Sequence, residues 1–215
     1  MFEDVLETLL RRVTETYGQT SEEARKQWFR RAGEPFLDER DYEQRMQNFV
    51  EWYVFDFRLS TGLSPFEAFL TDPGQSAEEK EAFQPFRDQV HSLFQLGNRL
   101  FGGGMYARDL HDGKKYPLGL ESTTGYTPGV VMEMRLVPVE DGFRPTQTSL
   151  YYESSMARLV KRAARVVRKK GGDEAWEALL FRASYLHLKA SRFRHVETKE
   201  IFKDLVHTDR LGASA

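Results

Sequence analysis

Residues 130–139 read Val130-Val131-Met132-Glu133-Met134-Arg135-Leu136-Val137-Pro138-Val139, and the fold is read outward from them. Val130, Met132, Met134 and Leu136 alternate with Glu133 and Arg135, the period-two pattern of a strand with one face on a core and the other in water. Asp141-Gly142 follows and Asp112-Gly113 stands upstream; both pairs supply residues that tolerate the positive φ of a tight hairpin. Around them lie the short apolar or alternating runs SLFQL (92–96), MYARDL (105–110), KKYPL (114–118) and TSLYY (148–152). Roughly four to six strands at this spacing predict a small antiparallel β-sheet or SH3-like barrel over residues 91–152.

On both sides the period changes to that of helices. Phe2, Val5, Leu6, Leu9, Leu10 and Val13 form one face, and Gly18 closes that helix. Thr20 and Glu23 have the spacing of a capping box for a second helix that buries Ala24, Trp28 and Ala32. A third helix starts near Asp38 or Asp41 and carries Tyr42, Met46, Phe49, Val50, Tyr53 and Phe57, with Trp52, Val54 and Phe55 widening its apolar side. Such a helix belongs at the centre of the N-terminal half. Ser64, Pro65 and Glu67 then give an N-cap, an N1 proline and a capping-box partner. Ser76 with Glu79 caps a further helix, broken near Pro85. After residue 152, Met156, Leu159, Val160, Ala163 and Val167 share a face, and Gly171-Gly172 turns into a partner helix capped by Asp173. A short last helix begins at Thr198. The expected class is α+β: a helical region over 1–90, the β unit over 91–152, C-terminal helices in a hairpin over 153–208, and a tail from 209 to 215.

Composition narrows the chemistry. The chain has 215 residues and no cysteine, which excludes disulfides, thiolate metal sites and a cysteine nucleophile. MFEDVLETLLRR lacks the basic, then uninterrupted apolar, design of a signal peptide, and no run approaches the ~18 apolar residues of a membrane span. A cytoplasmic protein without a membrane partner is expected. The net charge of −2 divides unevenly: residues 1–90 carry 19 acids against 11 bases, and residues 91–215 carry 14 against 20. The basic excess concentrates on Arg158, Lys161, Arg162, Arg165, Lys169 and Lys170. Such a stripe suits a phosphate backbone or an acidic partner, and equally a solvated helix face or a surface docked on the acidic N-terminal helices.

Other motifs assign little. Asp56 stands inside Trp52-Tyr53-Val54-Phe55-Asp56-Phe57; it is expected to be a polar strut held by a basic residue, or an acid/base group with a raised pKa. The histidines at 91, 111, 187, 195 and 207 form no zinc-binding pair, there is no GxSxG, and Gly102-Gly103-Gly104 lacks the ending of a phosphate-binding loop. No cofactor and no metal are expected from these spacings.

The stretch SLFQLGNRLFGGGMYARDLHDGKKYPLGL…TPGVVMEMRLVPVEDGF, preceded by Trp52-Tyr53-Val54-Phe55-Asp56 and the Ser64-Pro65 cap, resembles a region of uncharacterised bacterial proteins. The resemblance spans about residues 40–150 and implies a helical segment followed by a small β-barrel-like segment, with no activity attached. The absence of a catalytic constellation and the opposite charge of the two halves make the leading expectation a non-catalytic binding or adaptor protein acting through protein–protein contacts or self-association. Nucleic-acid binding through the basic helix is the second expectation, and a nucleotide sensor or enzyme with its site at the β unit the third.

Overall fold

The computed structural model describes residues 2–98, 104–119 and 125–206, apart from the side chains of Lys170, Asp204 and Val206. Gly102, Gly103, His207 and the tail from 209 to 215 lie outside the described residues. The expected α+β architecture is present. Helices α1 (Phe2–Tyr17), α2 (Ser21–Ala32), α3 (Tyr42–Phe55), α4 (Pro65–Thr71) and α5 (Ala77–Phe83) precede strands β1 (Val90–Leu96), β2 (Met105–Asp109), β3 (Lys115–Leu118), β4 (Val131–Val139), β5 (Gly142–Pro145) and β6 (Leu150–Tyr152). Helices α6 (Ser154–Lys170), α7 (Asp173–Arg192) and α8 (Thr198–Phe202) follow.

The sheet runs β1-β2-β3-β5-β4-β6, and an additional β1–β4 pairing closes the first five into a barrel with β6 as an extra strand. The neighbours pair antiparallel except β3 and β5, which meet in parallel at Leu118 and Phe143. Closure there requires a residue without a side chain: Gly142 has φ +137°, and a Cβ on it would stand 2.6 Å from the Pro117 carbonyl oxygen. Asp141-Gly142 makes the hairpin that its residues predict, and the returning strand β5 pairs antiparallel with β4.

Strand β4 departs most from expectation. It pairs with β1 on one side and with β5 and β6 at different places on the other. Met132, Met134 and Leu136 fill the barrel interior with Phe94, Leu96, Met105 and Leu118. Val131, Glu133, Arg135 and Val137 are buried too, so the second face is packed beneath other elements rather than turned to bulk solvent. Val137 joins the core of the N-terminal helices, and Val131 with Leu93 of β1 joins the core of α6, α7 and α8. Helices cover the barrel wall from two directions, and Glu133 and Arg135 lie between those contacts.

Two caps also differ from expectation. The Thr20 hydroxyl donates to the Tyr17 carbonyl and lies 2.9 Å from the Tyr53 hydroxyl, so it does not cap α2; a 3-10 turn over Gly18–Thr20 joins α1 directly to α2. Asp173 is the first residue of α7, and Gly172 holds the cap position without a side-chain bond. At α4 both halves of the Ser64–Glu67 box form. The break at Pro85 is a 3-10 turn over Gln84–Asp88.

Candidate functional site

A cleft of about 500 Å³ opens where the barrel wall faces α2, α3 and α7. Its polar floor comes from residues that their elements turn away from solvent. Helix α3 is apolar over most of its girth, so it is buried on nearly all sides in its last two turns, and Glu51 is carried inside with its neighbours, 3% exposed. On the barrel, His91 pairs with Arg135 and Leu93 with Glu133 across β1 and β4, which sets His91, Glu133 and Arg135 on one face.

Arg135 organises the floor. Its guanidinium, 2% exposed in the side chain, bonds the Asp56 carboxylate and the Gln89 amide oxygen, lies 4.8 Å from the centre of the Phe55 ring, and has Nε 3.5 Å from Glu51 Oε2. That last separation is an ion pair rather than a hydrogen bond, and Nε has no hydrogen-bond acceptor. Glu51 Oε2 accepts the hydroxyls of Thr146 and Thr148. Burial holds the Glu51 carboxyl above the ordinary carboxylate range, against the pull of Arg135 and both threonines.

A second chain of contacts runs beside the first. His91 Nε2 lies 3.2 Å from Glu133 Oε1, and its Nδ1 lies 3.9 Å from Asp56 Oδ2. Glu133 Oε2 accepts the Tyr152 hydroxyl at 3.0 Å. Tyr152 is fully enclosed, and burial, then the charge of Glu133, hold its phenol well above the ordinary value. Behind these groups Arg45 is completely buried; Nη2 donates to the Ser184 carbonyl at 3.0 Å, while Nε and Nη1 have no hydrogen-bond partner among the described residues. Burial lowers its pKa and the nearby Tyr152 and Glu133 raise it. Burial and then Arg45 hold His187 below the usual imidazole range.

The apolar walls are as distinctive. The chain's three tryptophans, Trp28, Trp52 and Trp176, come from α2, α3 and α7 to line this one cleft. Trp52 meets Phe181 edge-on at 5.8 Å, and His111, at the β2–β3 turn, stacks on Trp176 with ring centres 4.5 Å apart. Asp109 pins that turn by accepting the Ser92 hydroxyl and the His111 amide, both at 2.7 Å. The buried indole N–H groups of Trp52 and Trp176 have no hydrogen-bond partner among the described residues.

Among the residues singled out from sequence, only Asp56 belongs to this constellation. It is the C-cap of α3 and is held by Arg135, a base from the later part of the chain. The basic residues of α6 are elsewhere. Arg158, Arg162, Arg165 and Lys169 are exposed and Lys161 is half-buried; none of the five forms an ion pair among the described residues, and the Lys170 side chain lies outside them. Helix α6 packs on α7, α8 and β6, so its charged face is solvated. Sequence reasoning missed Glu51, His91, Glu133 and Arg135. The signal was present in Glu133 and Arg135, charges within an otherwise continuous apolar strand, and in Glu51, a carboxylate beside Trp52-Tyr53-Val54-Phe55.

Comparison of the chain with protein-family models, with curated proteins and with solved structures returned no match. The helical segment followed by a small barrel is therefore established by the structure alone. No helix among the described residues is long and apolar enough to cross a membrane, and no group of three or more histidine or acidic side chains among them is placed to hold a metal ion.

What the cleft can do chemically follows from its parts. A half-buried imidazole within reach of two carboxylates is a group that can exchange a proton with a bound molecule. Glu133 in turn is fixed by the Tyr152 hydroxyl, which orients the pair.

Proposed function

We propose that this protein binds a small organic molecule in the cleft between the barrel and helices α2, α3 and α7, with His91 as the proton-exchanging group. One observation carries the reading: charged and aromatic side chains from helices and strands of both halves converge, buried, on a single opening of about 500 Å³. A volume of that order suits a metabolite-sized ligand, and an apolar lining with a few fixed polar groups is the usual make-up of such sites. The expectation of a non-catalytic adaptor rested on the absence of a convergent constellation in the sequence. The cleft supplies one, and so favours a sensor or enzyme with its site at the β unit.

The test is a thermal-shift screen against a chemically diverse fragment library, followed by NMR of the three indole N–H resonances. A ligand that binds only the folded chain raises its melting temperature. Hits are expected to move the Trp52 and Trp176 indole signals and to weaken in His91→Gln. A library without hits, or hits that leave all three indoles unmoved, removes the reading.

A second reading keeps one supporting observation. Arg158, Arg162, Arg165 and Lys169 of α6 are exposed and form no ion pair among the described residues, which favours nucleic-acid binding at a surface separate from the cleft.

A further inference from the structure

We infer that the polyanion met by α6 is a single-stranded nucleic acid, one base of which stacks on Tyr151 in a groove beside the helix. This rests on the second reading above, nucleic-acid binding at α6, and adds the strandedness of the ligand and the ring that selects it.

The groove is separate from the cleft, since no residue lines both. It holds about 820 Å³ and opens between residues 125–130, strands β4 and β6, and α6. Helix α6 contributes Ser154, Ala157, Arg158 and Lys161, the i, i+3, i+4, i+7 set of one helix face. Strand β6 contributes Tyr151. Its neighbours Leu150 and Tyr152 are buried, so strand alternation turns Tyr151 to the opposite side. There it stands 49% exposed, with no ring contact among the described residues.

Charge selects an anion. Six carboxylates line the cleft, whereas among the described residues no carboxylate lines the groove and Arg158 and Lys161 do. Lys161 is half-buried, and neither base forms an ion pair among the described residues. A partly desolvated ammonium without a counter-charge favours a ligand that brings one. A basic groove with an uncovered aromatic ring is the arrangement on which successive bases of a strand stack. Tyr126 lines the same groove, half-buried and tied by a hydrogen bond to the Ser149 side chain.

Length separates a strand from a mononucleotide. The exposed bases Arg158, Arg162, Arg165 and Lys169 follow one another at i, i+4, i+7 and i+11, a line about 16 Å long at the helical rise. A mononucleotide in the groove leaves most of that line unused; a strand engages both. Strandedness follows from the ring. A duplex keeps its bases stacked within itself, so only an unpaired base reaches Tyr151.

The experiment measures fluorescence anisotropy with the full chain in about 50 mM salt. The probes are a labelled DNA strand of about 20 nucleotides, its RNA counterpart, and the DNA strand annealed to its complement, with dTMP as competitor. The better of the two single strands is expected to bind at least about tenfold more tightly than the duplex, and dTMP to compete only at far higher concentration. Tyr151→Ala is expected to weaken the strand about tenfold with an unchanged salt slope, because stacking is lost and charge is not. It should leave the duplex unchanged, and Tyr151→Phe, which keeps the ring, should bind as wild type. Equal affinity for strand and duplex, a Tyr151→Ala loss that is absent or shared by the duplex, or dTMP binding as tightly as the strand overturns the single-strand inference. Where nucleic acid is still bound in those cases, the α6 reading stands alone; where neither strand nor duplex binds, both fall.

Discussion

At the scale of single residues, the molecule depends on how it keeps charge away from water. Arg135 and Glu51 are almost fully enclosed, with side chains 2% and 4% exposed. Removing one partner of such a pair strands the other, whereas removing both is tolerated far better. Arg135→Met is therefore expected to cost about 3–5 kcal/mol in urea unfolding. Adding Glu51→Gln should return at least about 1 kcal/mol, since an amide still accepts the Thr146 and Thr148 hydroxyls without a buried charge. Additive losses would contradict this account. The pH dependence has a definite sign. Burial raises the Glu51 pKa in the fold, so protonation is favoured there relative to the unfolded chain, and the group's contribution to stability declines as pH rises through the ordinary carboxylate range toward the raised value. Glu51→Gln lacks that decline; its stability relative to wild type should improve as pH rises above about 4.

At the scale of elements, what was legible in the sequence and what was not separate along a physical line. The Ser64–Glu67 cap forms as its spacing predicts because both halves of a capping box lie within one turn of chain. The same spacing at Thr20 and Glu23 fails because Thr20 is drawn to Tyr17 and to Tyr53 of α3, a partner 33 residues away. Strand β4 repeats the lesson. Its inner row, Met132, Met134 and Leu136, was readable from period two. Its outer row held Glu133 and Arg135, and polar residues at every second position look the same whether water or a buried counter-charge receives them. The candidate site is built from that outer row, so it stayed hidden although its residues were in view. Helix α6 gives the opposite case, a basic face whose exposure the structure makes plain. If it meets nucleic acid, electrophoretic retardation should appear at low salt. Changing Arg158, Arg162 and Arg165 to Glu should then shrink the log–log salt slope by roughly 0.9 for each phosphate that is no longer neutralised. Absence of retardation in about 50 mM salt leaves the face merely solvated.

At the scale of the whole molecule, the cleft is a seam rather than a hollow within one part. The three cores are distinct: one under α1 to α5, one within the barrel, one under α6 to α8. Yet each of the outer two borrows residues across the seam. Val137 of β4 and Phe181 of α7 enter the first core, and Leu93 and Val131 of the barrel enter the core of the C-terminal helices. The Asp56–Arg135 and Glu51–Arg135 contacts and the Arg31–Glu177 pair tie the same parts together. A barrel whose outer wall carries Val131, Val137 and a buried arginine has no stable surface once the helices leave, because that wall exposes apolar area and unpaired charge together. The parts should therefore unfold as one. The prediction is direct: tryptophan emission, which reports the seam through Trp28, Trp52 and Trp176, and far-ultraviolet circular dichroism, which reports all the helices, should give coincident urea transitions with one midpoint. An earlier midpoint for the tryptophan signal would mean that the seam opens while the parts persist, and that the cleft is a hinge between independent units. Coincidence would mean that the site exists only in the complete fold, which is the condition for a cleft assembled from α2, α3, α7 and the barrel wall to keep its groups in place without a ligand.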